Sequence, residues 1–183
     1  NYTGTASFTA NNSINNGNNS GITFGLLQER NLYRIGGTGN WSDGSQWSLS
    51  SGGSAVGCPP TSADNLYFDQ NSFSASDQVV TIDIDNAACK NISWSGVTNN
   101  PKFDYNYKQL KVYGSFLLNE NMIMYRDNTN LIGTASVTFD SKGKQLRLLY
   151  LNGPSVSLSS PLTLSSQLYC QSGVFTTNNH DVN

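Results

Sequence analysis

The chain has 183 residues and a formal net charge of -2; 37% of it is hydrophobic, 12% charged and 11% aromatic. Low net charge with this aromatic share excludes disorder for most of its length. Ten scattered Lys and Arg without a basic patch argue against a nucleic-acid partner, and no apolar run is long enough to span a bilayer as a helix.

The 24 Asn, 25 Ser, 14 Thr and 17 Gly fit many turns between many short strands. Three cysteines (Cys58, Cys89 and Cys170) include no Cys-x-x-Cys pair, and the one histidine, His180, is too few for a zinc site. No cofactor is expected. Sparse Lys and Glu beside abundant Asn and Thr point to an exported protein, and both ends of the chain look cut from something longer.

Residues 1–30 read as a strand, a polar loop and a strand. Ala6, Phe8 and Ala10 alternate with polar residues, Ile14 is a single apolar anchor in the loop, and residues 22–24 resume an extended pattern. The polar break at 28–31 marks a boundary, with residues 31–183 forming the main unit. Residues 31–35 form a short strand that leads into IGGTGNWSDGSQWSLSSGG at 35–53, which is too rich in Gly and Ser for a helix. Trp41 and Trp47 are expected to cap a hydrophobic core, each bringing large area and one N–H donor; the competing reading is a sugar-stacking surface.

Cys58-Pro59-Pro60-Thr61 then breaks regular structure, and 65–69 forms a strand. QVVTIDID at 78–85 is the clearest alternation, with Val80, Ile82 and Ile84 on one side and Thr81, Asp83 and Asp85 on the other. Asp69, Asp77, Asp83 and Asp85 could hold calcium, but the glycine-bearing loop of known calcium motifs is missing, so a solvated strand face is the stronger reading and no metal site is expected. Residues 91–96 place Ile92 and Trp94 on one side of another strand. From 108 onward, strands of three to six residues follow one another, separated by Gly, Asn, Ser or Pro, and no stretch shows helical periodicity with proper caps.

Strands at such short intervals allow an antiparallel β-sandwich or a β-solenoid. The solenoid, an all-β right-handed parallel β-helix of short rungs, explains better why the strands are so short and why Asn and Ser recur beside turns, where stacked polar ladders form.

The run 36–53, the Cys58–Thr61 break and the SADNLYFD segment at 62–69 resemble a recurring module of large, repetitive, secreted β-helical surface proteins of bacteria, many exported by the type IX secretion system. VTIDIDNAACKNISWSG, LKVYGSFLL and SGVFTTNNHDV are similar to that module's following turns, and FTANNSINNGNNSGITF to the closing turn of a preceding one. The family pattern has an aromatic residue where this chain has Arg34, and a Thr or Ser where it has Cys170.

The resemblance implies a non-catalytic stalk or adhesin on the bacterial cell surface, with neighbouring modules of the same chain as partners, surface polysaccharide or secretion machinery as further ones, and gliding motility as a related role. In an exported chain Cys58 and Cys89, which flank two strand candidates, are expected to form a disulfide; it would close a loop of about 30 residues and stabilise by roughly 3 kcal/mol. The alternative is two buried thiols. Cys170 is expected to be buried in the stack.

Two other functions stay open at this point. A carbohydrate-binding module would use Trp94, Tyr105, Tyr107 and Tyr113 as a stacking platform. A β-helical polysaccharide-active enzyme would need clustered acids in a cleft, with Asp83 and Asp85, or Asp104 and Lys108, as candidates; few Glu, one His and no paired motif weigh against it.

Overall fold

The computed structural model describes residues 7–10, 17–133 and 135–183. Ile14, expected to anchor the polar loop, lies outside them. Two short strands, β1 (Phe8–Ala10) and β2 (Ile22–Phe24), pair in parallel as a sheet of their own.

From residue 31 the chain winds as a parallel β-solenoid of about five turns. The first turn holds β3 (Asn31–Arg34), β4 (Gly39–Asn40), a 3-10 turn at Gly44–Gln46 and β5 (Trp47–Ser48). The second holds β6 (Asn65–Tyr67), β7 (Val79–Thr81) and β8 (Ala87–Cys89), and the third β9 (Asn91–Ser93), β10 (Lys102–Asp104) and β11 (Leu110–Val112). Next come β12 (Phe116–Leu117), β13 (Ile123–Tyr125) and β14 (Thr129–Ile132), then β15 (Ser136–Asp140) and two long strands, β16 (Gln145–Leu158) and β17 (Thr163–Thr176).

Three sheet faces result. One stacks β3, β6, β9, β12 and β15 in parallel. A second stacks β8, β11 and β14, and a third stacks β4, β7, β10 and β13. β16 turns the corner between the first two: residues 149–152 pair with β14, residues 155–158 with β15, and β17 follows it along nearly its whole length.

The rungs form because a buried column can be built from each strand. Leu32, Leu66, Ile92, Phe116, Phe139 and Leu158 lie one above another in register and are all buried. The strands are short because the chain must turn a corner after a few residues to keep the next apolar side chain inward. Ile84 accordingly falls just past the end of β7, at a corner, and is only half-buried. The length of a turn falls along the chain: equivalent side chains lie 34, then 26, 24, 23 and finally 19 residues apart. The long first turn carries the double-tryptophan loop.

Side-chain ladders run beside the core. The Asn65 amide donates to Asn31 Oδ1 at 3.0 Å, the Asn91 amide to Asn65 Oδ1 at 2.7 Å, and the Ser115 backbone N–H to Asn91 Oδ1 at 2.7 Å. This is the stacked-amide arrangement expected where Asn recurs at equivalent points.

Gly153, at the corner inside β16, has φ +102, and a Cβ there would meet the Gly133 carbonyl oxygen of the turn below at 2.5 Å. Gly153→Ala is therefore expected to destabilise by about 1–3 kcal/mol, through both backbone strain and overlap; urea unfolding at fixed m-value checks it.

A second corner is held by Asp127, whose buried carboxylate accepts the backbone N–H groups of Arg147 (2.8 Å) and Leu148 (3.3 Å) where β16 shifts register against β17. Burial raises its pKa above the ordinary carboxylate value, and the backbone N–H groups offset only part of that rise. Because the folded-state pKa lies above the unfolded one, its stabilising contribution is fully present below about pH 4 and is lost as pH rises through the folded value. The stability difference between the wild type and Asp127→Asn should thus shift against the wild type as pH is raised from 3 to 7, measured by urea unfolding at each pH.

The expected Cys58–Cys89 disulfide is not formed: all three cysteines are free thiols. Cys89 points into the core, in register with Val112, whereas Cys58 lies outside on the Pro-Pro loop with its Sγ accepting Arg30 Nη1 at 3.1 Å. Cys170, expected to be buried, is exposed on β17. Burial pushes the Cys89 thiol well above its ordinary pKa. Maleimide under native, non-reducing conditions should therefore label Cys170 and Cys58 and spare Cys89, with all three labelled after denaturation; mass spectrometry reads the result.

Candidate functional site

The double-tryptophan stretch is interior. Trp41 and Trp47 are both 0% exposed and meet edge to face at 5.4 Å, with Trp47 Nε1 donating to the Trp41 carbonyl at 3.0 Å. β5 pairs antiparallel with β3 and covers the first edge of the large sheet, so this stretch ends the stack rather than presenting a sugar surface.

Arg34 is fully buried over the Trp47 ring at 5.4 Å. It donates to the carbonyls of Asn40 and Gly37 and to Gln46 Oε1. Burial lowers its pKa to about 10, so it stays charged at neutral pH. Gly39 leaves room for it, since a Cβ there would lie 3.0 Å from Nη2.

The aspartates considered for calcium or catalysis do not converge. Asp83 accepts the Ser42 backbone N–H at 3.0 Å and its hydroxyl. Asp85 pairs with Lys108 at 2.6 Å, Asp77 with Lys102 at 2.9 Å, and Asp104 with Arg126. Asp69 caps its own turn through the Asn71 N–H at 2.9 Å. Among the described residues no three His, Cys, Asp or Glu side chains gather as a metal site.

The aromatic platform dissolves in the same way. Trp94 is buried and stacked flat on Phe68 at 3.7 Å, and Tyr105 is buried with its hydroxyl 2.9 Å from the Thr129 hydroxyl. Tyr107 and Tyr113 are exposed, the first under the Arg126 guanidinium.

What the fold does assemble is a different surface, the outer side of the face built by β8, β11, β14, β16 and β17. Register places Ala88, Lys111, Asn130, Tyr150 and Tyr169 in one outward column. Tyr150 and Tyr169 stack at 4.6 Å and 6°. None of these strands contains an Asp or Glu. At the β8 end lies a hollow of about 230 Å³ lined by Pro60, Thr61, Ser62, Asn86, Lys111 and Tyr113. Four of the six ion pairs among the described residues hold Lys90, Lys102, Lys108 and Lys142 to carboxylates; Lys111 has none, and its ammonium reaches only Asn86 Oδ1 at 3.4 Å.

Sequence reasoning missed this column because its members are brought together by register alone. One signal for it was present: Leu149-Tyr150 and Leu168-Tyr169 repeat one turn apart. Compared with known proteins, the chain matches no family profile, no curated protein and no solved structure.

Proposed function

We propose that the chain is a non-catalytic structural and adhesive module of a secreted protein at the bacterial cell surface, working beside neighbouring modules of the same chain and exported by a type IX route, as its likeness to such modules implies. The supporting observation is where the polar side chains go. Carboxylates, amides and lysines join turns to one another, as in Lys108–Asp85 at 2.6 Å and the Asn31–Asn65–Asn91 ladder between successive turns and Glu29–Lys90 at 2.5 Å across two. Groups so engaged stiffen a rod and are not free for acid–base work. The outer face of β8, β11, β14, β16 and β17 is left over for contact with a surface.

The acid-free column of Lys111, Asn130, Tyr150 and Tyr169 favours polysaccharide as what is contacted, which makes a carbohydrate-binding module the second reading. Microspheres coated with the protein are expected to stay attached under flow to glass carrying bacterial matrix polysaccharide, above the level of spheres coated with an unrelated protein of equal net charge. Equal detachment of the two would remove the adhesive reading, and release of reducing sugars by the soluble protein would replace it with an enzymatic one.

A further inference from the structure

We infer that the outer face of β8, β11, β14, β16 and β17 binds an acidic polysaccharide, with a uronate carboxylate of the chain seated at Lys111 in the hollow that Tyr113 and Ser62 help to line. The inference rests on the adhesive reading above and names its ligand class.

The protein carries a net charge of -2, yet the five strands of this face hold no carboxylate at all. The two acids nearest to the hollow in sequence are neutralised elsewhere: Asp64 is buried and held by both nitrogens of an Arg30 fork at 2.7 Å, and Asp85 pairs with Lys108. With no carboxylate on its strands and one lysine without a carboxylate partner, this face attracts a polyanion. Lys111 is half-buried with no carboxylate partner, so its charge is available to a ligand.

Size and chemistry narrow the class. About 230 Å³ is below the usual range for a whole drug-sized ligand and suits one sugar unit of a longer chain. Around Lys111 the hollow offers the Ser62 hydroxyl, the Asn86 amide and the Tyr113 phenol, 39% exposed, which suit carboxylate and hydroxyl groups. A single lysine with no arginine fork matches a monovalent carboxylate rather than a densely sulfated chain.

Shape sets the direction. From Lys111 the column continues through Asn130 and Tyr150 to Tyr169, three rung spacings that cover roughly 14 Å. A linear polymer laid along the solenoid axis passes Asn130, whose amide oxygen is buried, and meets two phenol edges after leaving the hollow.

Affinity electrophoresis tests this on the whole chain, using gels that contain polygalacturonate, neutral hydroxyethyl cellulose or dextran sulfate. Lys144→Gln serves as the control: Lys144 also lacks a carboxylate partner and lies off this column, and its substitution changes net charge equally. Polygalacturonate should retard the wild type more than either other polymer does. Lys111→Gln should weaken that binding about fivefold, the scale of one partly screened ion pair, while Lys144→Gln leaves it unchanged. Unaltered thermal melts would establish that both variants fold.

Equal retardation of Lys111→Gln and the wild type overturns the inference. So does equal retardation in the neutral polymer, or stronger retardation in dextran sulfate. Microsphere attachment that persists without any polygalacturonate retardation sinks the uronate assignment alone and leaves the adhesive reading standing; loss of attachment as well sinks both.

Discussion

Trp47→Ala should destabilise the protein by about 3 kcal/mol or more, the cost of a large aromatic truncation at a fully packed site. Trp47 touches Trp41 edge to face at 5.4 Å and Phe68 at 5.8 Å, and the Arg34 guanidinium covers its ring. Removing the indole opens a cavity against all three and leaves a buried cation without the aromatic face that balances its desolvation.

The loss begins at one end of the stack, where a turn has packed turns on one side only, so urea unfolding should also become less cooperative as the first turn frays before the rest. Leu49→Ala, two residues on and 60% exposed, should stay within about 0.5 kcal/mol of the wild type. Similar costs for the two variants would mean that Trp47 is not part of a packed cap.

Asp64→Ala should cost about 3 kcal/mol, within the range for removing one partner of a desolvated ion pair. The Asp64 carboxylate is 0% exposed. It takes both Arg30 nitrogens at 2.7 Å and the Thr61 N–H at 2.7 Å, so it fastens the Pro-Pro loop to the strand entrance of the first turn. Alanine strands the guanidinium, the loop N–H and the Thr61 hydroxyl together. The double variant Arg30→Leu/Asp64→Leu removes both charges and should recover part of the loss. A double variant no better than Asp64→Ala in urea unfolding would show that the loop is held by something other than this pair.

The β-solenoid was legible in the sequence because its evidence is local: strands a few residues long, turn formers at every break and no helical stripe. The burial of Trp41 and Trp47 followed from their size among small residues. What stayed hidden depends on register between turns. The period slides from 34 residues to 19, so equivalent positions do not align by inspection. Asn31-Leu32-Tyr33 and Asn65-Leu66-Tyr67 are nevertheless the same rung one turn apart, and their stacked tyrosines at 5.1 Å follow from it.

Short strands such as β8, β10 and β14 are hard to find in the sequence because their few apolar residues give no alternation by themselves. The cysteine pairing failed for a related reason. Flanking two strands says nothing of direction, and Cys89 faces the core while Cys58 sits on a loop outside it. The acid-free column was equally out of reach, since Lys111, Asn130, Tyr150 and Tyr169 become neighbours only when the register is known.

The central claim is that successive turns stack in parallel, with one residue of each turn lying over its equivalent in the next. Nuclear Overhauser contacts in an isotope-labelled sample test it most directly. The stacking requires a chain of contacts from Ile92 to Phe116, Phe116 to Phe139 and Phe139 to Leu158, with Leu66 below and Leu32 at the start. Contacts that instead mirror about a turn, joining residues before it to residues after it at steadily growing separation, would mean antiparallel hairpins and would contradict the solenoid.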